Sequence, residues 1–253
     1  MILLIGLVGI FTLLSLGLLF LVDVAVDSIS PEDEAVLHKQ LDLDWDDELK
    51  QHPALNAQLQ KRLDMLLPCT PLTYPIRIHV EDSEMINAMA FPGGHIMILS
   101  PLLNAVKSEN GLAFVLGHEL GHFIHRDHLR SLGGRIVLVS LSSFFTGPDS
   151  FLSRVIAPTS QLGMATYSQR QESNADEEAL KILDCAYGHV GGATEFFAEL
   201  ESNRSLMDFG LGHYFADHPT LEARISRLEQ EIQENGYKIG RVRPLNLTTT
   251  SFE

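Results

Sequence analysis

His118-Glu119-Leu120-Gly121-His122 is the stretch whose reading decides the fold. On a helix, residues four apart share a face, so His118 and His122 present two imidazoles to one point. Glu119 stands beside them. A catalytic Zn2+ takes three protein ligands and keeps its fourth position open. It lowers the pKa of water held there to about 7, and a carboxylate within reach then takes the proton. Two ligands one turn apart with a base next to them is therefore the spacing this chemistry needs. The five residues close an apolar run, Leu112-Ala113-Phe114-Val115-Leu116. In such surroundings two histidines and a glutamate are costly without a partner.

A third ligand must come from downstream, and two residues offer one. His128 follows His118 by ten residues, the spacing of a metzincin, a secreted-protease type of site. That pattern needs a glycine where this chain has His125, because the helix has to turn sharply there. Met164 and Tyr167 imitate the methionine turn of that class, one residue too far apart. The other candidate is Glu172, in Glu172-Ser173-Asn174-Ala175-Asp176. This segment places two carboxylates four apart on one helix face, so Glu172 binds metal while Asp176 holds the second ring nitrogen of a ligand histidine. The pairing with Asp176 favours Glu172.

Around this centre the pattern is mostly helical. Leu55, Leu59, Leu63 and Leu66 recur at helical spacing between Pro53 and Pro68. Ile76, Ile78 and Val80 alternate with polar residues as in a half-buried strand, and Ile96 to Leu99 reads as another after the turn Pro92-Gly93-Gly94. Helices are expected over Gly111 to His125, Glu172 to Tyr187 (closed by Gly188), Thr194 to Asn203, and a last amphipathic stretch from Leu221 to Gly236. The fold class expected is α+β: a mostly helical domain with a small sheet beside the zinc helix.

The chain's 253 residues suffice for one full core plus appendages. Ile2 to Val22 is 21 residues without a charge, about 31 Å as a helix, enough to cross a hydrocarbon core. No basic residue precedes it and no clear cleavage site follows, which favours an anchor over a cleaved signal. The apolar stretch Ile136 to Phe145 is too short to span and reads either as core or as a segment dipping into the membrane surface. Asp23 to Lys50 holds ten acidic residues against Lys39 and Lys50, over half of the net charge of −15, and reads as a solvated linker. That net charge argues against nucleic acid as a partner. Cys69 and Cys185 are too few for a disulfide scaffold or a cysteine zinc site, and whether they pair stays open.

Four segments in order carry a resemblance. Asn87-Ala88-Met89-Ala90-Phe91-Pro92-Gly93-Gly94 precedes the zinc helix, His118 to His122 forms it, Glu172 to Asp176 follows, and His218-Pro219 with Arg224 comes late. Together they resemble the membrane-associated zinc metallopeptidases of the gluzincin type, the family that includes HtpX, BepA and the CAAX prenyl proteases. The resemblance spans roughly residues 68–236. It implies one Zn2+ on His118, His122 and Glu172, with Glu119 as general base and Asp176 orienting a ligand histidine. It implies that Asn87, Ala88, Met89 and Ala90 form an edge strand that takes an extended, unfolded polypeptide, and that His218 and Arg224 lie near the metal as catalytic groups. Two departures stand out. Arg170 is displaced by one from the place where many relatives carry Ser-Arg, and one membrane span replaces several. The single span favours envelope protein quality control over prenyl-protein cleavage. The expected organisation is an anchor at 1–22, an acidic, partly helical linker at 23–66, the metallopeptidase domain at 67–236 and a tail at 237–253. The catalytic domain is expected outside the cytoplasm, in a bacterial periplasm. A chaperone-like protein holding clients in the same cleft is the rival, and an intact Glu119 argues for the enzyme, since binding alone needs no base.

Overall fold

A computed structural model describes residues 2–40, 52–146, 167–202 and 221–247. In chain order the helices are α1 (Ile2–Val26), α2 (Pro31–Gln40), α3 (Pro53–Leu66), α4 (Ser100–Ala105), α5 (Glu109–Ile124), α6 (Asp127–Thr146), α7 (Gln169–Tyr187), α8 (Glu195–Ser202) and α9 (Leu221–Glu234). Three strands, β1 (Arg77–Glu81), β2 (Ala88–Phe91) and β3 (His95–Leu99), lie between α3 and α4. They form a sheet of order β1-β3-β2, with β3 parallel to β1 and antiparallel to β2. The mostly helical fold with a small sheet is thus present, and β2 is an edge.

The turn joining β2 to β3 shows why Gly93-Gly94 stands there. Both glycines have positive φ, 84° and 78°, and a side chain at Gly94 would run into the carbonyl oxygen of Pro75. The core collects Ile78 and Val80 of β1, Ile96 and Ile98 of β3, Leu112, Phe114, Leu116 and Leu120 of α5, Leu180 and Leu183 of α7, and Phe196 and Phe197 of α8. α3 lies within the stretch read above as an acidic linker, yet Leu55, Leu59, Leu63 and Leu66 are buried in this same core. Its apolar stripe is a packing face, and its polar side chains serve the sheet. Asn56 Oδ1 accepts from Val80 N and Gln60 Oε1 from Ile78 N. A disulfide between Cys69 and Cys185 ties the end of α3 to the end of α7, across 116 residues of chain.

α5 and α7 run antiparallel, and small residues set how closely they approach. Gly117 faces Ala179 and Gly121 faces Ala175. These residues are neighbours of His118, His122, Glu172 and Asp176 in sequence, so the close contact brings the metal-ligating faces together. A Cβ on Gly121 would lie 2.8 Å from Ala175 Cα, whereas one on Gly117 would lie 3.2 Å from Ala179 Cα. Both Gly→Ala changes gain about 1 kcal/mol of helix propensity. Overpacking costs about 1–3 kcal/mol and falls mainly on Gly121. Gly121→Ala is therefore expected to melt lower and bind zinc more weakly than Gly117→Ala, as thermal unfolding and competitive zinc titration would show. Equal behaviour of the two variants would contradict this account of the helix contact.

Candidate metal centre

Ser108 caps α5, its hydroxyl accepting from Gly111 N. The helix buries every residue from Asn110 to Phe123. His118, Glu119 and His122 are 3%, 2% and 0% exposed. α7 begins with a capping box in which Ser168 and Gln171 satisfy each other's backbone. The box starts the helix where it must start for Glu172 and Asp176, both 1% exposed, to face α5.

The ligand atoms converge. His118 Nε2 and His122 Nε2 are 3.2 Å apart. Glu172 places Oε2 3.5 Å from the first and Oε1 3.4 Å from the second. Among the described residues these three form the group of potential ligands within 4.8 Å of one another. The second nitrogen of each ring is held by a carboxylate. His118 Nδ1 lies 2.9 Å from Asp176 Oδ1, and His122 Nδ1 lies 3.0 Å from Asp127 Oδ2. With each Nδ1 engaged by a carboxylate, both Nε2 atoms and the Glu172 carboxylate face one point, a donor set that a divalent cation would satisfy with the rings neutral. The residues fit Zn2+.

Charge is balanced from α9. The Arg224 guanidinium donates through Nε and Nη2 to Asp176, and its Nη1 lies 2.9 Å from Glu172 Oε2. Arg227 Nη2 reaches Asp176 Oδ2 at 2.8 Å. Burial favours the neutral Asp176 acid, but Arg224 and His118 outweigh it and hold the carboxyl well below the usual range. Burial and Arg224 keep the pKa of His118 below its ordinary value against the pull of Glu172. At His122 the order reverses. Burial is outweighed by Asp127 and Glu172, which push it up to about 9.

Glu119 Oε2 is buried and has no hydrogen-bond partner among the described residues. With His118 it lines a cleft completed by Ala88 of β2, Phe114 and Val115 of α5 and Phe197 of α8. Leu99 N donates to Asn87 O. Strand alternation therefore turns the backbone of Asn87 and Met89 toward β3 and that of Ala88 and Ala90 outward. Asn87 is buried, and its Oδ1 accepts from Ala88 N.

His128 does not join the metal cluster. α5 ends at Ile124, and the sharp turn falls at Arg126, with φ of 57°, not at His125. The turn carries His128 away, so that its Nε2 bonds Glu34 Oε1 at 2.9 Å. The metzincin arrangement is therefore not the one built here. His218 lies outside the described residues. Four contributors are given no part in the site by the sequence reading, which notes Tyr167 only as part of an imperfect methionine turn. Asp127 holds His122, Gln171 Nε2 donates to Asp127 Oδ1 at 2.9 Å, Tyr167 stacks on the His122 ring at 3.7 Å, and Arg227 backs Asp176. Arg227 could have been found from its place three residues after Arg224 on the same helix face.

The comparisons agree with this geometry. Peptidase family M48 matches residues 53–232. The mitochondrial metalloendopeptidase OMA1 of Bos taurus is 28% identical over 169 residues, covering 62% of this chain and 32% of the relative. The beta-barrel assembly-enhancing protease of Escherichia coli is 27% identical over 165 residues, covering 60% and 33%. The chain thus spans about a third of the length of these relatives. With the match extending over most of its length and His118, His122 and Glu172 forming a buried zinc-binding triad, the chain belongs to peptidase family M48.

Proposed function

We propose that the protein is a zinc-dependent endopeptidase that cleaves extended segments of unfolded or misassembled proteins, held to a membrane by α1 with the catalytic domain on its extracytoplasmic side. The observation that carries this reading is Glu119, a buried carboxylate one of whose oxygens has no partner among the described residues, in a small cleft between His118 of the triad and Ala88 of the edge strand. Zinc held by His118, His122 and Glu172 would supply Lewis acidity and lower the pKa of water in the cleft. Glu119 is the group placed to take a proton there and to hand it to the leaving amine. Asp176 and Asp127 keep both imidazoles oriented, and Arg224 acts through Asp176 and Glu172 as a positioning residue. Ala88 and Ala90 offer outward backbone groups on which an extended substrate adds as a strand.

Backbone pairing reads extended shape more than side chains, so folded proteins resist until denatured. The name of the Escherichia coli relative, which refers to β-barrel assembly, supports a quality-control role in a cell envelope. The Cys69–Cys185 disulfide supports an oxidising compartment. α1 exposes Leu13, Leu16, Phe20 and Leu21, as a lipid-embedded helix does.

Ala90→Pro is the direct test. It removes an outward N–H from β2 while leaving the triad untouched. The expected result is a full zinc complement with cleavage of unfolded casein reduced by roughly tenfold or more, the loss of about one charge-free backbone bond and the local strand geometry. Wild-type rates in a folded, zinc-loaded variant would refute strand addition at β2. Casein held without cleavage by the wild-type protein would favour a client-binding protein instead.

A further inference from the structure

α1 has a companion. On α6, Gly133 and Gly134 form a notch that receives α1: a Cβ at Gly133 would lie 2.5 Å from Val22 Cγ1, and one at Gly134 3.4 Å from Leu19 Cδ2. Just before the notch, Arg130 pairs with Asp23 at 3.1 Å and Asp27 at 2.7 Å. Contacts thus climb α6 as they descend α1, and the two helices are antiparallel.

From Gly134 the helix continues to Thr146, about 18 Å further at 1.5 Å per residue. The antiparallel contacts at Arg130, Gly133 and Gly134 aim this continuation along the apolar body of α1. Its sequence from Ile136 to Phe145 carries no charge. Ile136 is 46% exposed, and on the neighbouring α1 Ile10, Leu13, Leu16 and Phe20 are all more than half exposed. Water would make so much exposed apolar side chain on two neighbouring helices costly, and a hydrocarbon phase removes the cost. Arg135, at the start of the stretch, has a side chain long enough to reach back to the interface.

We infer that α6 is a second lipid-facing element whose C-terminal half lies in the bilayer against α1, with the Arg130–Asp23–Asp27 cluster at the water boundary. The inference rests on α1 being membrane-embedded. It has a consequence for the site. Asp127, which holds His122, is the first residue of α6, about one helical turn from Arg130 at 1.5 Å per residue, so the metal centre is tied to a helix that enters the bilayer just beyond it.

The test uses the full chain in phosphatidylcholine–phosphatidylglycerol nanodiscs, with Cys69 and Cys185 left as the native disulfide. Single cysteines are introduced at each position from Ile136 to Phe145, at Leu13 and at water-exposed Glu32, spin-labelled, and checked for zinc content. Collisions with oxygen, which partitions into hydrocarbon, are compared with those of a water-soluble nickel chelate. The expected result is an oxygen-to-nickel ratio on the order of ten times that at Glu32 for the α6 positions facing away from α1. High nickel access throughout α6 would place it in water and overturn the inference. Low access to both reagents at every α6 position would place it inside protein, including a second copy of the chain, and would overturn it as well. A lipid-exposed Leu13 beside a non-exposed α6 sinks this inference alone, whereas a water-exposed Leu13 sinks the anchor reading too.

Discussion

Glu119→Gln is expected to keep one zinc per chain and to lose casein cleavage by about 10²–10⁴-fold, the range that general-base catalysis supplies. Glutamine matches glutamate in shape but cannot accept the proton. The three metal ligands are other residues, so the metal has no reason to leave. Glu119 is 2% exposed and one of its oxygens has no partner among the described residues. A buried, incompletely paired carboxylate costs folding free energy. The variant should therefore be at least as stable as the parent, a sign that the residue is kept for chemistry rather than for the fold. Metal analysis, initial rates and thermal unfolding measured together check this. Cleavage within a few-fold of wild type would show that another group takes the proton.

Glu172→Ala is expected to weaken zinc binding by two to three decades. A structural zinc site contributes roughly 10–16 kcal/mol over four protein ligands, about 2.5–4 kcal/mol for each, and a ligand of this three-residue site is taken to contribute on the same order. The same change deprives Arg224 Nη1 of a carboxylate at 2.9 Å, so the apoprotein should lose stability as well. Asp176→Asn should cost less, about 10–100-fold in affinity, because it acts through the His118 ring. His128→Ala should leave zinc affinity unchanged, since its imidazole is engaged with Glu34. Competitive titration against a chromogenic chelator ranks the three variants. A loss in His128→Ala larger than that in Glu172→Ala would return the third ligand to His128.

Arg224 illustrates how a residue's presence was legible and its work was not. The late motif marked it as belonging near the metal. Tertiary structure shows it buried between Asp176 and Glu172, with its guanidinium 4.4 Å from the centre of the Phe197 ring. A cation so enclosed neutralises and orients the two carboxylates. Removing it would leave two carboxylates buried without their main counter-ion, a loss of about 3–5 kcal/mol.

His118, Glu119 and His122, and separately Glu172 and Asp176, were readable because each set is local: a helix of known pitch places residues four apart on one face whatever surrounds it. The α+β class, the two buried strands and the αL glycine closing α7 were readable for the same reason, as periodicity and backbone sterics act over a few residues. Tertiary structure alone decided what meets across space. The turn at Arg126 sent Asp127 to His122 and His128 to Glu34. Gly117 and Gly121 fixed how near α7 comes, α3 turned out to carry core leucines, and Cys69 found Cys185. Apart from Asp127 and His122, which a turn of five residues joins, such contacts link positions tens of residues apart, and their partners follow from shape and charge complementarity in three dimensions, which no local pattern encodes.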